Sequence, residues 1–124
     1  MFIVSPIQKY MINGEVCELT PVVVAGGVGV WTSIVAANTT KKHLVMGWDI
    51  AGQGGVTNFY VAGGAGITNI FGATPVPAQA GGTSAVKLII DSGYGSTLVN
   101  QSLQVFSTAF LAVGTLWYIS YTPN

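Results

Sequence analysis

His43-Leu-Val-Met-Gly-Trp-Asp-Ile-Ala51 decides the fold class of this chain. Leu44, Met46, Trp48 and Ile50 recur at every second position, the repeat of a β-strand with one face on a core. His43, Val45, Gly47 and Asp49 then take the other face, with His43, following Lys41 and Lys42, expected as a solvated residue at the strand entrance. Val86, Leu88 and Ile90 repeat the alternation opposite Lys87, and Leu103 with Val105 repeats it opposite Ser102 and Gln104.

Outward from that stretch, breakers recur at short intervals: Asn13-Gly14, Gly26-Gly27, Gly52 to Gly55, Gly63-Gly64, Pro75 and Pro77, Gly81-Gly82, and Gly93 to Gly95. The segments between them, at 2–4, 7–12, 16–19, 28–36, 43–51, 56–62, 67–71, 84–90, 97–108 and 114–121, are rich in Val, Ile, Thr and aromatic residues, the strand palette. No window keeps apolar residues at i, i+3, i+4 and i+7 against charges, so no helix beyond about two turns is expected. About eight strands separated by Gly/Pro-rich turns predict an all-β, single-domain β-sandwich, with a jelly roll as one eight-stranded solution.

Composition bounds the function. The 124 residues suffice for one core without disulfide or metal. Only 6% are charged, against roughly a quarter in an ordinary soluble domain, while 50% are hydrophobic and the mean hydropathy is +0.58. Such numbers fit a membrane protein or a β domain whose surface neighbours cover. The apolar run from Pro21 to Trp31 is interrupted by Gly26, Gly27 and Gly29, short of the roughly 20 apolar residues that span hydrocarbon. The tail holds Asn100, Gln101, Ser102, Gln104, Ser107 and Thr108, whose polar groups lipid would leave unpaired. The first nine residues lack a basic region ahead of an apolar core, so a signal peptide is not expected.

The same residues exclude most chemistry. One histidine, His43, and one cysteine, Cys17, fall short of the three or four ligands that zinc needs, so neither a metal nor a cofactor is expected. With no base or cationic cluster beside it, Cys17 reads as a small buried hydrophobe, and no catalytic residue is assigned. Asp49 and Asp91 read as a strand residue and a turn residue, and a glycosidase-like pair would require the fold to bring them together. Gly52–Gly55 and Gly63–Gly66 lack the GxxxxGK[ST] pattern and read as bulged hairpin turns. Four lysines, no arginine and zero net charge disfavour nucleic acid.

Several stretches resemble small virion proteins of tailed bacteriophages: Ile34-Val-Ala-Ala-Asn-Thr-Thr-Lys-Lys-His-Leu-Val-Met-Gly-Trp48, Gly55-Val-Thr-Asn-Phe-Tyr-Val61, the Pro-Ala-Gln-Ala-Gly-Gly82 turn, and Leu103-Gln-Val-Phe followed by Gly114-Thr-Leu-Trp-Tyr-Ile119. The nearest are capsid decoration, or cement, proteins with jelly-roll-like sandwiches. The resemblance covers roughly 31–121. It implies a homotrimer on the capsid exterior that binds the major capsid protein after synthesis in the host cytoplasm, with no membrane partner. A tail or fibre component, or a carbohydrate-binding jelly roll using aromatics such as Tyr60 or Tyr94, is the alternative. Residues 1–30 are expected to form an N-terminal arm and first strands ahead of the sandwich at 31–124, within one domain overall. Candidate interface residues are Phe2, Ile3, Ile7 and Tyr10 in the arm, and Trp31, Trp117 and Tyr121 in the sandwich. A charge-poor, aromatic-rich surface is the composition of an interface core.

Overall fold

The computed structural model describes residues 8–79, 84–87 and 93–124, and among them every regular element is a strand. Eleven strands form: β1 (Lys9–Ile12), β2 (Glu15–Glu18), β3 (Thr20–Gly26), β4 (Thr32–Val35), β5 (Lys42–Gln53), β6 (Thr57–Gly63), β7 (Thr68–Val76), β8 (Ala85–Lys87), β9 (Gly95–Ser96), β10 (Leu103–Ser107) and β11 (Leu111–Tyr121). One sheet runs β3-β11-β5-β8 with β9 also on β5, the other β4-β10-β6-β7, and β1-β2 is a separate hairpin. Every strand pairing is antiparallel. The protein is an all-β sandwich.

The inner faces of the two sheets enclose Val24, Val45, Trp48, Ile50, Phe59, Val61, Val76, Leu103, Val105, Ala112 and Leu116. Trp48 stands at the centre, edge-on to Phe59 at 5.6 Å and to Phe71 at 4.3 Å between ring centroids. Such tilted aromatic pairs contribute about 0.5–1.5 kcal/mol beyond their buried area. Leu103 and Val105 point inward, as their alternation requires.

The alternation in β5 does not run through. Trp117 pairs with Gly47 but Tyr118 pairs with Val45, so Met46 is an extra residue in β5. A bulge of this kind flips the side chains beyond it to the other face. Trp48, Ile50 and Val45 therefore share the sandwich core, whereas Leu44 and Met46 turn outward. The four residues expected on one face are divided two and two.

Those outward residues are covered by the β1-β2 hairpin, which adds to neither sandwich sheet. Its two-residue loop, Asn13 (φ 53°) and Gly14 (φ 78°), has the paired positive φ values of a type I′ turn, for which Asn-Gly is the favoured sequence. Tyr10, Ile12 and Leu19 pack with Leu44, Trp117 and Tyr121 around buried Cys17, Met46 and Ile119, a second small core. The burial of Cys17 agrees with its reading as a hydrophobe.

Three local expectations are corrected. His43 is not solvated: it is 3% exposed, beneath a T-shaped contact with Tyr118. Val86 faces solvent, while Ala85 packs on the core and Lys87 reaches over the rings of Phe71 and Tyr94, the reverse of the alternation drawn for that strand. Leu88 and Ile90 lie outside the described residues. Gly52 to Gly55 does not close a hairpin but carries the chain from β5 in one sheet to β6 in the other. Gly63 to Gly66 does turn a hairpin, β6 to β7. Pro75 lies inside β7, an edge strand, where a missing N–H is tolerated.

Candidate interaction faces

The hairpin covers only the Trp117–Tyr121 half of the outer face of the five-stranded sheet. On the other half, the pairing registers align Val23, Thr115, Asp49 and Val86 in one row across four strands. Ala25, Val113 and Ala51 form a second row, and Pro21 extends the first strand. Val23 is 76% exposed and Val86 55%. Asp49 is the one charged side chain on these rows. A recess of about 260 Å³ opens there, lined by Asp49, Ala51, Gln79, Ser84, Val113, Gly114 and Thr115. Its floor requires Gly114, because a Cβ there would collide with the carbonyl oxygen of Asp49, and the φ of +147° already disfavours other residues.

The four-stranded sheet presents a different outer face. Phe106 and Tyr60 are directly paired across β10 and β6, with centroids 5.5 Å apart. Trp31, just before β4, lies 5.2 Å from Phe106 on its other side. Gln104 and Ser33 are paired beside this aromatic row, and Asn69 is paired with Ala62.

Tyr10, Trp117 and Tyr121 come together around Cys17, Met46 and Ile119, and Trp31 stands apart on the other sheet. Phe2, Ile3, Ile7 and Asp91 lie outside the described residues. Of the two aromatics named for sugar binding, Tyr60 is on the outer face, while Tyr94 closes over Trp48 and Phe71.

A scan against protein-family models, a search of curated proteins and a search of solved structures each give no match to this chain.

The ionisable groups are arranged for structure. Nδ1 of His43 lies 2.7 Å from Oγ of Ser120 and Nε2 lies 2.8 Å from the carbonyl oxygen of Ala36, so both ring nitrogens are engaged inside the protein. A base needs a free nitrogen within reach of a substrate proton. Burial raises the pKa of the Cys17 thiol above its ordinary value, reinforced by the Glu15 carboxylate, which disfavours the nucleophilic thiolate. Glu15 itself is held below the usual carboxylate range, first by the Thr122 backbone N–H and further by Lys41, 3.7 Å away. Burial raises the pKa of Tyr118. Among the described residues no three of His, Cys, Asp and Glu gather at one point.

The sequence signals for the two faces differ in clarity. Tyr60, Gln104 and Phe106 stand at alternate positions opposite buried partners and were open to period-2 reading. Val23 was not, because Val22-Val-Val24 is apolar on both faces, and only the pairing of β3 with β11 shows which side is outside.

Proposed function

We propose that this chain is a non-catalytic structural virion protein, a capsid decoration or cement protein that associates as a homotrimer and docks on the major capsid protein. The observation that carries this reading is the open half of the five-stranded sheet, where Val23, Val86, Val113, Ala25 and Pro21 surround a single charge, Asp49. A contiguous apolar face of this kind marks an association surface, and docking many copies onto a repeating shell turns modest contacts into avidity.

Strand order supports the same reading. With β8 and β9 taken as one interrupted strand on β5, the eight sandwich strands read first-eighth-third-sixth in one sheet and second-seventh-fourth-fifth in the other. That order is compatible with the winding of a jelly roll, an architecture used by capsid and lectin domains. Fold alone does not assign function, so the open face bears the weight.

Sedimentation of the purified chain, alone and with capsids assembled from a tailed-phage major capsid protein, tests the proposal. Trimers that pellet with capsids are expected. A chain that stays monomeric at micromolar concentration and remains in the supernatant would remove it, and pelleting with tails instead of capsids would move the protein to a tail or fibre.

A further inference from the structure

Among the described residues, the charged side chains are confined to one side of the sandwich. Lys9, Glu15, Glu18, Lys41, Lys42, Asp49 and Lys87 all lie on the hairpin, on β5, on β8 or just before β5. The strands β4, β10, β6 and β7 carry no Asp, Glu, Lys, Arg or His, and neither do the segments 27–31, 63–67 and 97–102 at their ends. What this neutral sheet offers outward is the ring row Trp31, Phe106 and Tyr60, flanked by the amides of Gln104, Asn69 and Asn58. The turn that meets the indole is pared to glycine: a Cβ at Gly66 would sit 3.1 Å from the Trp31 ring.

Rings and amides without charge are the chemistry that recognises a neutral sugar. The C–H groups of a pyranose carry partial positive charge and meet the negative faces of aromatic rings, while side-chain amides donate to and accept from hydroxyls. An anionic glycan or a phosphate would find no cation on this sheet. The row crosses three adjacent strands at centroid spacings of 5.2 and 5.5 Å, with Trp31 tilted 38° and Tyr60 edge-on at 82° to Phe106, so the rings form a stepped apolar ridge along which an oligosaccharide can lie. We infer that the outer face of the four-stranded sheet is a binding platform for a neutral oligosaccharide, with Trp31, Phe106 and Tyr60 making apolar contact with sugar C–H groups and Gln104 and Asn69 bonding hydroxyls. This platform is on the sheet opposite the proposed docking face, so it stays available when the other face is covered, and it stands whether or not the capsid reading does.

Affinity electrophoresis in gels containing dextran, mannan, galactan or xyloglucan, with anionic alginate as the comparison, tests the platform. Retardation by at least one neutral polysaccharide is expected, weakened at least tenfold in Tyr60→Ala and in Gln104→Ala and unchanged in Val56→Glu, at an exposed valine between β5 and β6. The Gln104→Ala variant removes no ring, so it keeps the test valid if loss of an aromatic impairs folding. Absence of retardation by all four neutral polymers would overturn the inference, as would equal retardation of the variants or retardation by alginate alone. A fall in oligomer size caused by Tyr60→Ala, measured by sedimentation without sugar, would overturn it too, by showing that a second copy occupies this face.

Discussion

Glu15 holds Thr122 by two hydrogen bonds: its Oε1 accepts the backbone N–H at 3.1 Å and its Oε2 accepts the hydroxyl at 3.2 Å. These bonds tie the start of β2 to the end of β11, and Lys41 beside them adds attraction for the charged carboxylate. Because the folded pKa of Glu15 lies below its unfolded value, the contribution is complete above the ordinary glutamate value, about 4.3, and is lost as pH falls through the lowered one. Hydrogen exchange of the hairpin amides should therefore quicken on acidification below that value while β6 and β10 stay protected. Glu15→Gln should show the quickened exchange already at neutral pH. Identical hairpin protection in the variant at pH 7 would refute the clamp.

His43 joins three segments, since its ring reaches Ser120 and Ala36 and its backbone N–H donates to Oγ1 of Thr97 at 3.0 Å. Replacing the ring by Ala removes two part-buried hydrogen bonds, each worth about 0.5–1.5 kcal/mol, and opens space under Tyr118. His43→Ala should lower the urea midpoint without changing the slope. An unchanged midpoint would return His43 to the solvated role its neighbours Lys41 and Lys42 imply.

The raised thiol pKa and burial of Cys17 predict slow reaction with a thiol reagent at pH 8 in the native protein and immediate reaction in denaturant. The sign for stability is opposite to that of Glu15. The contribution is complete below the ordinary thiol value, about 8.5, and is lost as pH rises through the raised one. Rapid native labelling would mean that the hairpin opens readily from Met46 and Ile119.

The fold class was readable because Leu103, Val105, Phe59 and Val61 obey period 2 and glycine or proline stands at most of the turns. Part of what stayed hidden traces to the bulge at Met46. Residues 44 to 50 look like one unbroken alternation, and a bulge leaves no mark in composition, because it is set by how β11 pairs with β5. With Met46 inserted, Val45 joins Trp48 inside, and the outward pair Leu44 and Met46 needs a cover, which the hairpin supplies. The open half-face was illegible for a related reason: Val23, Thr115, Asp49 and Val86 are far apart in sequence and meet only through register.

Two glycines separate backbone need from mere tolerance. Gly114→Ala should cost about 3 kcal/mol or more, since a positive φ strains the new residue and its Cβ meets the Asp49 carbonyl oxygen. Gly72→Ala, in β7, has nothing within 4 Å of the added carbon and should leave stability unchanged or raise it by up to about 1 kcal/mol. Chemical denaturation of both variants checks the contrast, and a comparable loss in the two would contradict the close approach of β11 to β5.

The open half-face makes the sharpest demand. Val23 lies on β3, which among the described strands pairs with β11 alone, and its side chain is 76% exposed beside Thr115, so a charge at this position stays solvated in a free monomer. Val23→Glu should therefore leave the denaturation midpoint within about 0.5 kcal/mol of the parent, as surface substitutions do. If copies or a capsid surface cover the row, the same carboxylate is desolvated on the row that also holds Asp49, with Thr115 between them, and an unpaired charge taken out of water costs several kcal/mol. Sedimentation should then show the variant reduced to monomer or lost from capsids, with its fold intact by circular dichroism. Val56→Glu, an equally exposed valine at 64% in the segment between β5 and β6, should change neither. A Val23→Glu protein that associates as the parent does would show that this row faces solvent in the working assembly.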